Sequence, residues 1–192
     1  RARVAYAEHW LRGHTTEKPA TLTPNVPPAQ VPPCSMPAIP AYHEAGHVWA
    51  ALRYGAQGLR VTIEPEWDDG PLRHGDTQVA WPVDEMGERE FQRRSVLVAL
   101  AGPVAEMIHL DRPHDIQTVA EWQADWQVAW LAAAPLAPAH ASRLGLLERC
   151  STELFQLLKV DDHWHELATI VDHLLAHQTL DEEMINDMIG LN

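Results

Sequence analysis

His43-Glu44-Ala45-Gly46-His47 is the string in this chain whose residue types and spacing could do chemistry. Residues four apart lie on one face of a helix, so two imidazoles can hold one metal ion. The glutamate beside the first histidine then stands near the metal's open position. There it can take a proton from metal-activated water and pass it to a leaving amine. The same HExxH pattern also occurs by chance in helices that bind nothing. Three features speak for chemistry here. The string follows a helix start at once. Ala45 and Gly46 are small, so the helix can pack closely beneath a metal. Acids that could complete a ligand set lie downstream.

The downstream segment Glu121-Trp122-Gln123-Ala124-Asp125 offers two such acids. In one large class of zinc peptidases the glutamate of an ExxxD pattern is the ligand, and in another class an aspartate is. Both residues share a helical face, so spacing alone does not choose between Glu121 and Asp125. His109 and His114 are weaker candidates because they flank a break at Asp111–Pro113. A single acid on a helix is ordinarily a solvated surface charge.

The elements that must position these residues can be read from punctuation and periodicity. A helix is expected from about Ala41 to Tyr54, opened by Pro40 and stopped by Gly55 and Gly58. Leu59–Glu64 is rich in β-branched residues and reads as a strand. Asp68 to Pro71 reads as a turn, and Gly75–Trp81 as a second strand closed by Pro82. Glu85 to Leu110 reads as a helix with an apolar second half, and Asp115 to Ala133 as another, broken by Pro135 and Pro138. Three more helices are expected at about 139–159, 161–178 and 181–189, with Thr179 or Asp181 capping the last. Residues 1–14 read as a short helix with Val4, Ala7, Trp10 and Leu11 on one face. Prolines from Pro19 to Pro40 follow, an extended arm that can join no helix or sheet ladder. The expected organisation is a helix and proline-rich arm over 1–40, then one domain over 41–192. Its class is mainly α with a small β element and the HExxH helix at its centre.

Composition narrows the function classes. The 192 residues carry 27 acidic and 14 basic side chains, a net charge of −13. That balance argues against nucleic acid and anionic membrane as partners, since both need a basic face. Hydrophobic content of 46% argues against a disordered chain. No apolar run approaches the ~20 residues of a membrane span. The best, Val96–Ala105, lies between Arg94 and Glu106. No signal-peptide pattern opens the chain, although it starts at Arg1 and leaves room for an upstream targeting or membrane segment. Cys34 and Cys150 are too few for a disulfide scaffold, so a cytoplasmic location is the expectation. No GxxxxGK[ST] phosphate loop is present, so no nucleotide is expected.

At this point the chain resembles a known family. Pro40-Ala41-Tyr42 followed by His43-Glu44-Ala45-Gly46-His47 is similar to the zinc-site helix of the FtsH-type peptidases, the proteolytic half of membrane-bound AAA proteases. Further blocks agree in order. Val61-Thr62-Ile63 with Pro65 resembles the strand after the zinc helix, and Gly75-Asp76-Thr77 the glycine–threonine strand that follows. Leu100-Ala101-Gly102 with Ala105-Glu106 resembles the family's Leu-x-Gly-x-x-Ala-Glu helix. Leu174-Leu175, Gln178-Thr179-Leu180 and Ile185 resemble its C-terminal helical pair. Ala124-Asp125-Trp126-Gln127-Val128-Ala129 matches Asn-Asp-x-x-x-Ala, whose aspartate is the family's third zinc ligand. The likeness covers roughly residues 38–190 and favours Asp125 over Glu121. Three departures stand out. Ala124 replaces the asparagine, Pro103 enters a helix and implies a kink, and no ATPase module accompanies the domain.

The resemblance implies an ATP-independent zinc endopeptidase acting on unfolded or flexible protein segments. His43, His47 and Asp125 would hold one Zn²⁺ per chain and Glu44 would be the general base. Strand 75–81 is a candidate edge for pairing with an extended substrate. The competing expectation is a non-catalytic or adaptor-type domain that docks on a partner such as a separate ATPase. The intact glutamate speaks against it, because a structural site needs ligands but no base. Homo-oligomerisation is left open. Three weaker signals remain. Cys34 could cap the zinc and hold the enzyme latent. His173 and His177 repeat the i,i+4 spacing among His163 and His165, and read as a wet helix face. Trp122, Trp126 and Trp130 form a stripe that reads as core or helix contact.

Overall fold

The computed structural model describes residues 38–64, 75–111 and 122–189. The elements run α1 (Ala38–Arg53), β1 (Gln57–Thr62), β2 (Asp76–Ala80), α2 (Glu88–His109), α3 (Gln123–Ala133), α4 (His140–Leu158), α5 (Asp161–His177), β3 (Thr179–Leu180) and α6 (Glu182–Ile189). The fold is mainly helical with a small antiparallel sheet, as expected. The N-terminal arm, the turn before β2, His114 and Glu121 lie outside the described residues.

α1 is the central helix. Ala41 and every residue from Glu44 to Ala51 are buried. A helix buried on all sides has no polar face to offer. It packs chiefly on α2 and α5, and α2 in turn meets α3 and α4. Pro40 falls in the first turn of α1, where the missing N–H costs nothing. At the other end Gly55 adopts φ +79°. The Ala56 amide donates to Ala51 and the Gly55 amide to Leu52, the paired bonds of a Schellman stop. Arg94 of α2 adds a bond from Nη1 to the Tyr54 carbonyl at 2.6 Å.

α2 carries the longest buried run, Val96 to Ala105. Two small-residue contacts seat it on α1. A Cβ at Gly46 would lie 2.5 Å from the Ala101 carbonyl oxygen and 2.8 Å from the Ala105 Cβ. Gly46 is thus required for the close approach, in keeping with the small residues of the motif. α2 continues through Pro103 as one helix from Glu88 to His109. Its start falls three residues later than expected, because Val83, Glu85 and Met86 amides close turns on Trp81, Pro82 and Val83.

The sheet order is β2-β1-β3, with β1 in the middle. Val61 pairs with Thr77 on one side and with Leu180 on the other. β1 starts two residues earlier than the sequence suggests, with Gly58 at φ +59° beside an irregularity in the ladder. β3 was not anticipated. Thr179, one of two residues proposed to cap the last helix, instead extends the sheet, and its hydroxyl meets that of Thr62 at 2.8 Å. Asp181 is the cap: its Oδ1 accepts the Met184 amide at 3.0 Å. The helical core is completed by Leu147, Leu154 and Leu158 of α4 and Leu167, Ile170 and Leu174 of α5.

Candidate metal centre

His43 and His47 stand one turn apart on α1, which packs against α2, while α3 packs on α2 in turn. Their Nε2 atoms are 3.2 Å apart. Asp125, in the first turn of α3, places Oδ2 3.1 Å from His43 Nε2 and Oδ1 3.5 Å from His47 Nε2. With metal–ligand bonds of about 2.0–2.1 Å, the donors of a tetrahedral zinc site sit roughly 3.3 Å from one another. The three observed separations bracket that value. Among the described residues this is the one group of three or more His, Cys, Asp or Glu side chains that could hold a metal ion.

The opposite ring nitrogens decide which way the donors face. His47 Nδ1 lies 2.8 Å from the Val98 carbonyl, which can only accept, so Nδ1 carries the hydrogen. His43 Nδ1 lies 3.0 Å from Oε2 of Glu106, and that same oxygen accepts the Trp122 indole N–H at 2.7 Å. Both Nε2 lone pairs are thereby aimed at one point, beside an anionic carboxylate. Such an arrangement repels itself unless a cation or a proton lies between the donors. Contacts of this kind orient metal-binding histidines and raise their basicity.

Proton affinities follow the same logic. Burial pulls the His43 imidazole down, but hydrogen bonds to Asp125 and Glu106 outweigh it and hold the group well above its ordinary value. Burial pushes the Asp125 carboxyl up, and the neighbouring His47 and His43 bring it below its usual value. Glu44 is raised by burial, which the two histidines and a Thr77 hydrogen bond only partly offset.

Glycines make room for this geometry. A Cβ at Gly102 would overlap the His47 ring at Nε2, with Cε1 2.6 Å away. Glu44 reaches the first residues of the β2 region. Thr77 Oγ1 donates to its Oε2 at 2.6 Å, and a Cβ at Gly75 would overlap its carboxylate.

Of the sequence candidates, the structure brings His43, His47 and Asp125 together, with Glu44 alongside. His109 does not join them; its ring stacks on Tyr42 with centroids 3.7 Å apart. Trp122 is buried, while Trp126 and Trp130 are half-buried and stack on each other at 6.2 Å. Trp126 and Trp130 line an open depression of about 610 Å³ with Gln127, Leu131, His140 and Leu144. Cys34 lies outside the described residues and Cys150 is buried. The contacts of Glu106, Trp122, the Val98 carbonyl, Gly102, Gly75 and Thr77 were not assigned from sequence. One signal was available: Gly102 and Glu106 stand four apart in the apolar second half of α2.

Neither the protein-family models nor the curated proteins compared with this chain match it. No described helix is long and apolar enough to cross a membrane.

Proposed function

We propose that the chain is a zinc-dependent endopeptidase of the FtsH peptidase type, acting on unfolded or flexible polypeptide segments. The observation that carries this reading is the convergence of three deprotonatable donors beside a buried carboxylate that is not one of them. A structural zinc site closes its fourth position with another ligand, whereas a catalytic site keeps it open. Zinc, when bound, supplies Lewis-acid activation of water and of the scissile carbonyl. His43, His47 and Asp125 would hold it through Nε2, Nε2 and a carboxylate oxygen. Glu44 would take the proton from the attacking water and deliver it to the departing amine. Burial raises its proton affinity, the direction that suits a group which must both take up and return a proton. β2 lies at one edge of the described sheet, next to Glu44, and offers backbone groups to an extended substrate.

The test is cleavage of casein by protein stripped with chelator and then reloaded with zinc. Activity that disappears on stripping and returns with zinc is expected. Equal cleavage by stripped and loaded protein would overturn the metal dependence. A second reading, an adaptor-type domain, draws on the open apolar depression around Trp126 and Trp130. It predicts zinc binding with no cleavage of casein or of short peptides.

A further inference from the structure

Thr77 and Gly75 hold Glu44 from a different part of the chain. Glu44 sits on α1 between the two histidines, and its carboxylate is buried. A glutamate side chain has several rotatable bonds, so a helical backbone alone leaves it more than one direction. Two contacts with the β2 region do. Thr77, paired to Val61 in the middle of the sheet, donates its hydroxyl to Oε2 at 2.6 Å. Gly75, two residues earlier, leaves the space that Oε1, Cγ and Cδ of Glu44 occupy; a Cβ there would stand 2.6 Å from Cγ and 2.7 Å from Cδ. A hydroxyl at residue 77 and the absence of a side chain at residue 75 therefore act on one carboxylate, one tying an oxygen and the other shaping the slot.

We propose that Thr77 is a positioning residue for Glu44: its hydroxyl ties Oε2, so that Oε1 is the oxygen that exchanges the proton. This inference rests on the peptidase reading and deepens it. It assigns the sheet a role in aiming the base. Because β2 is also the edge offered to substrate, the strand that would receive the peptide is the strand that fixes the base. A donor that only satisfied a buried carboxylate would contribute to stability alone. A positioning donor contributes to turnover, because a small misdirection of a reacting group costs far more than its hydrogen bond.

The experiment compares the full zinc-loaded chain with T77V, T77S and the same changes in an E44Q background. Casein and a fluorogenic peptide are the substrates. Valine keeps the β-branch and removes the hydroxyl, while serine keeps the hydroxyl. T77V is expected to lower kcat by about 10- to 100-fold with KM changed by less than about twofold. T77S is expected to recover most of that loss. Zinc affinity, read by competition with a coloured chelator, stays at the parental value in both. In the E44Q background T77V has no further effect on the residual rate, because Thr77 acts only through the carboxylate. Parental kcat in T77V overturns the inference, and so does an undiminished T77V loss in the E44Q background. A T77V loss that T77S does not recover overturns it too, as does weakened zinc binding. If the zinc-loaded parent cleaves neither substrate, the peptidase reading itself fails and this role falls with it. A parent that cleaves beside a T77V that matches it removes only the role of Thr77.

Discussion

His43 and His47 on α1 and His173 and His177 on α5 obey the same helical spacing, yet their rings meet differently. The α1 rings are edge-on, 74° between planes, with Nε2 atoms 3.2 Å apart. The α5 rings lie nearly parallel, 26° between planes, with centroids 6.0 Å apart. Spacing brings two imidazoles to one face in both places. What differs is the third dimension. α2 crosses α1 and supplies a carbonyl at Val98, a carboxylate at Glu106 and a gap at Gly102, and α3 adds Asp125. On α5 it is Leu167, Ile170, Val171 and Leu174 that turn inward; His173 is half-buried and His177 is exposed. The spacing is shared; among the described residues, the contacts from other elements that hold the rings are found only at His43 and His47.

That contrast can be broken most sharply at the ligands. H43A or H47A should weaken zinc binding by more than about 100-fold, beyond what loss of a supporting contact costs. Equilibrium dialysis reads the effect. The double change H173A/H177A should leave one zinc per chain. A second zinc lost with His173 and His177 would show that spacing alone suffices.

G102A tests the gap. A methyl group at residue 102 collides with the His47 ring, so either the ring turns or α2 moves. Overpacking of this kind costs about 1–3 kcal/mol. Zinc affinity should fall along with the melting temperature. A stable G102A protein with parental affinity would mean that His47 does not depend on the α2 crossing.

How far the sequence could foresee this depends on how local each feature is. α1 was legible because Pro40, Gly55 and Gly58 punctuate it, and the mostly helical class followed from similar breaks. β3 was not: two residues carry no period, and Thr179 looks the same as a cap or as a strand residue until Thr62 stands opposite. The histidine pair was legible because its two members stand only four positions apart. The choice between Asp125 and Glu121 was not settled by spacing, since both acids share a helical face. Asp125 reaches the histidines because α2, packed on both α1 and α3, brings the first turn of α3 to them, and Glu121 lies outside the described residues. Glu106 acts on His43 across 63 positions of sequence. No periodicity encodes that distance.

E106Q tests the long-range contact. Glutamine can still accept from His43 Nδ1 but carries no charge, so zinc affinity should fall by about 10- to 100-fold. Full affinity in E106Q would remove Glu106 from the account.

The pH dependence follows from the same carboxylates, with this sign. Without a cation, burial lowers the proton affinity of His43, but hydrogen bonds to Asp125 and Glu106 outweigh it and hold the group well above its ordinary value. Zinc must displace the bound proton. Below the raised value, affinity should therefore fall by about tenfold per pH unit for each proton displaced. The decline should already be under way at pH values where an ordinary histidine is neutral. In E106Q its onset should move to lower pH. Affinity that is flat through neutral pH would contradict the assignment of His43 Nε2 as a donor.

The smallest effect is expected from H173A/H177A on stability. Surface substitutions of this kind change stability by roughly 0.5 kcal/mol or less. A larger loss would give the α5 pair a structural part it is not assigned here.

The most direct measurement is made on Glu44→Gln. Zinc content and casein cleavage are determined on the same preparation of parent and variant. One zinc per chain is expected in both, with cleavage by the parent and a rate in the variant lower by at least about 100-fold. A zinc-loaded Glu44→Gln protein that cleaves as fast as the parent would contradict the assignment of Glu44 as the general base.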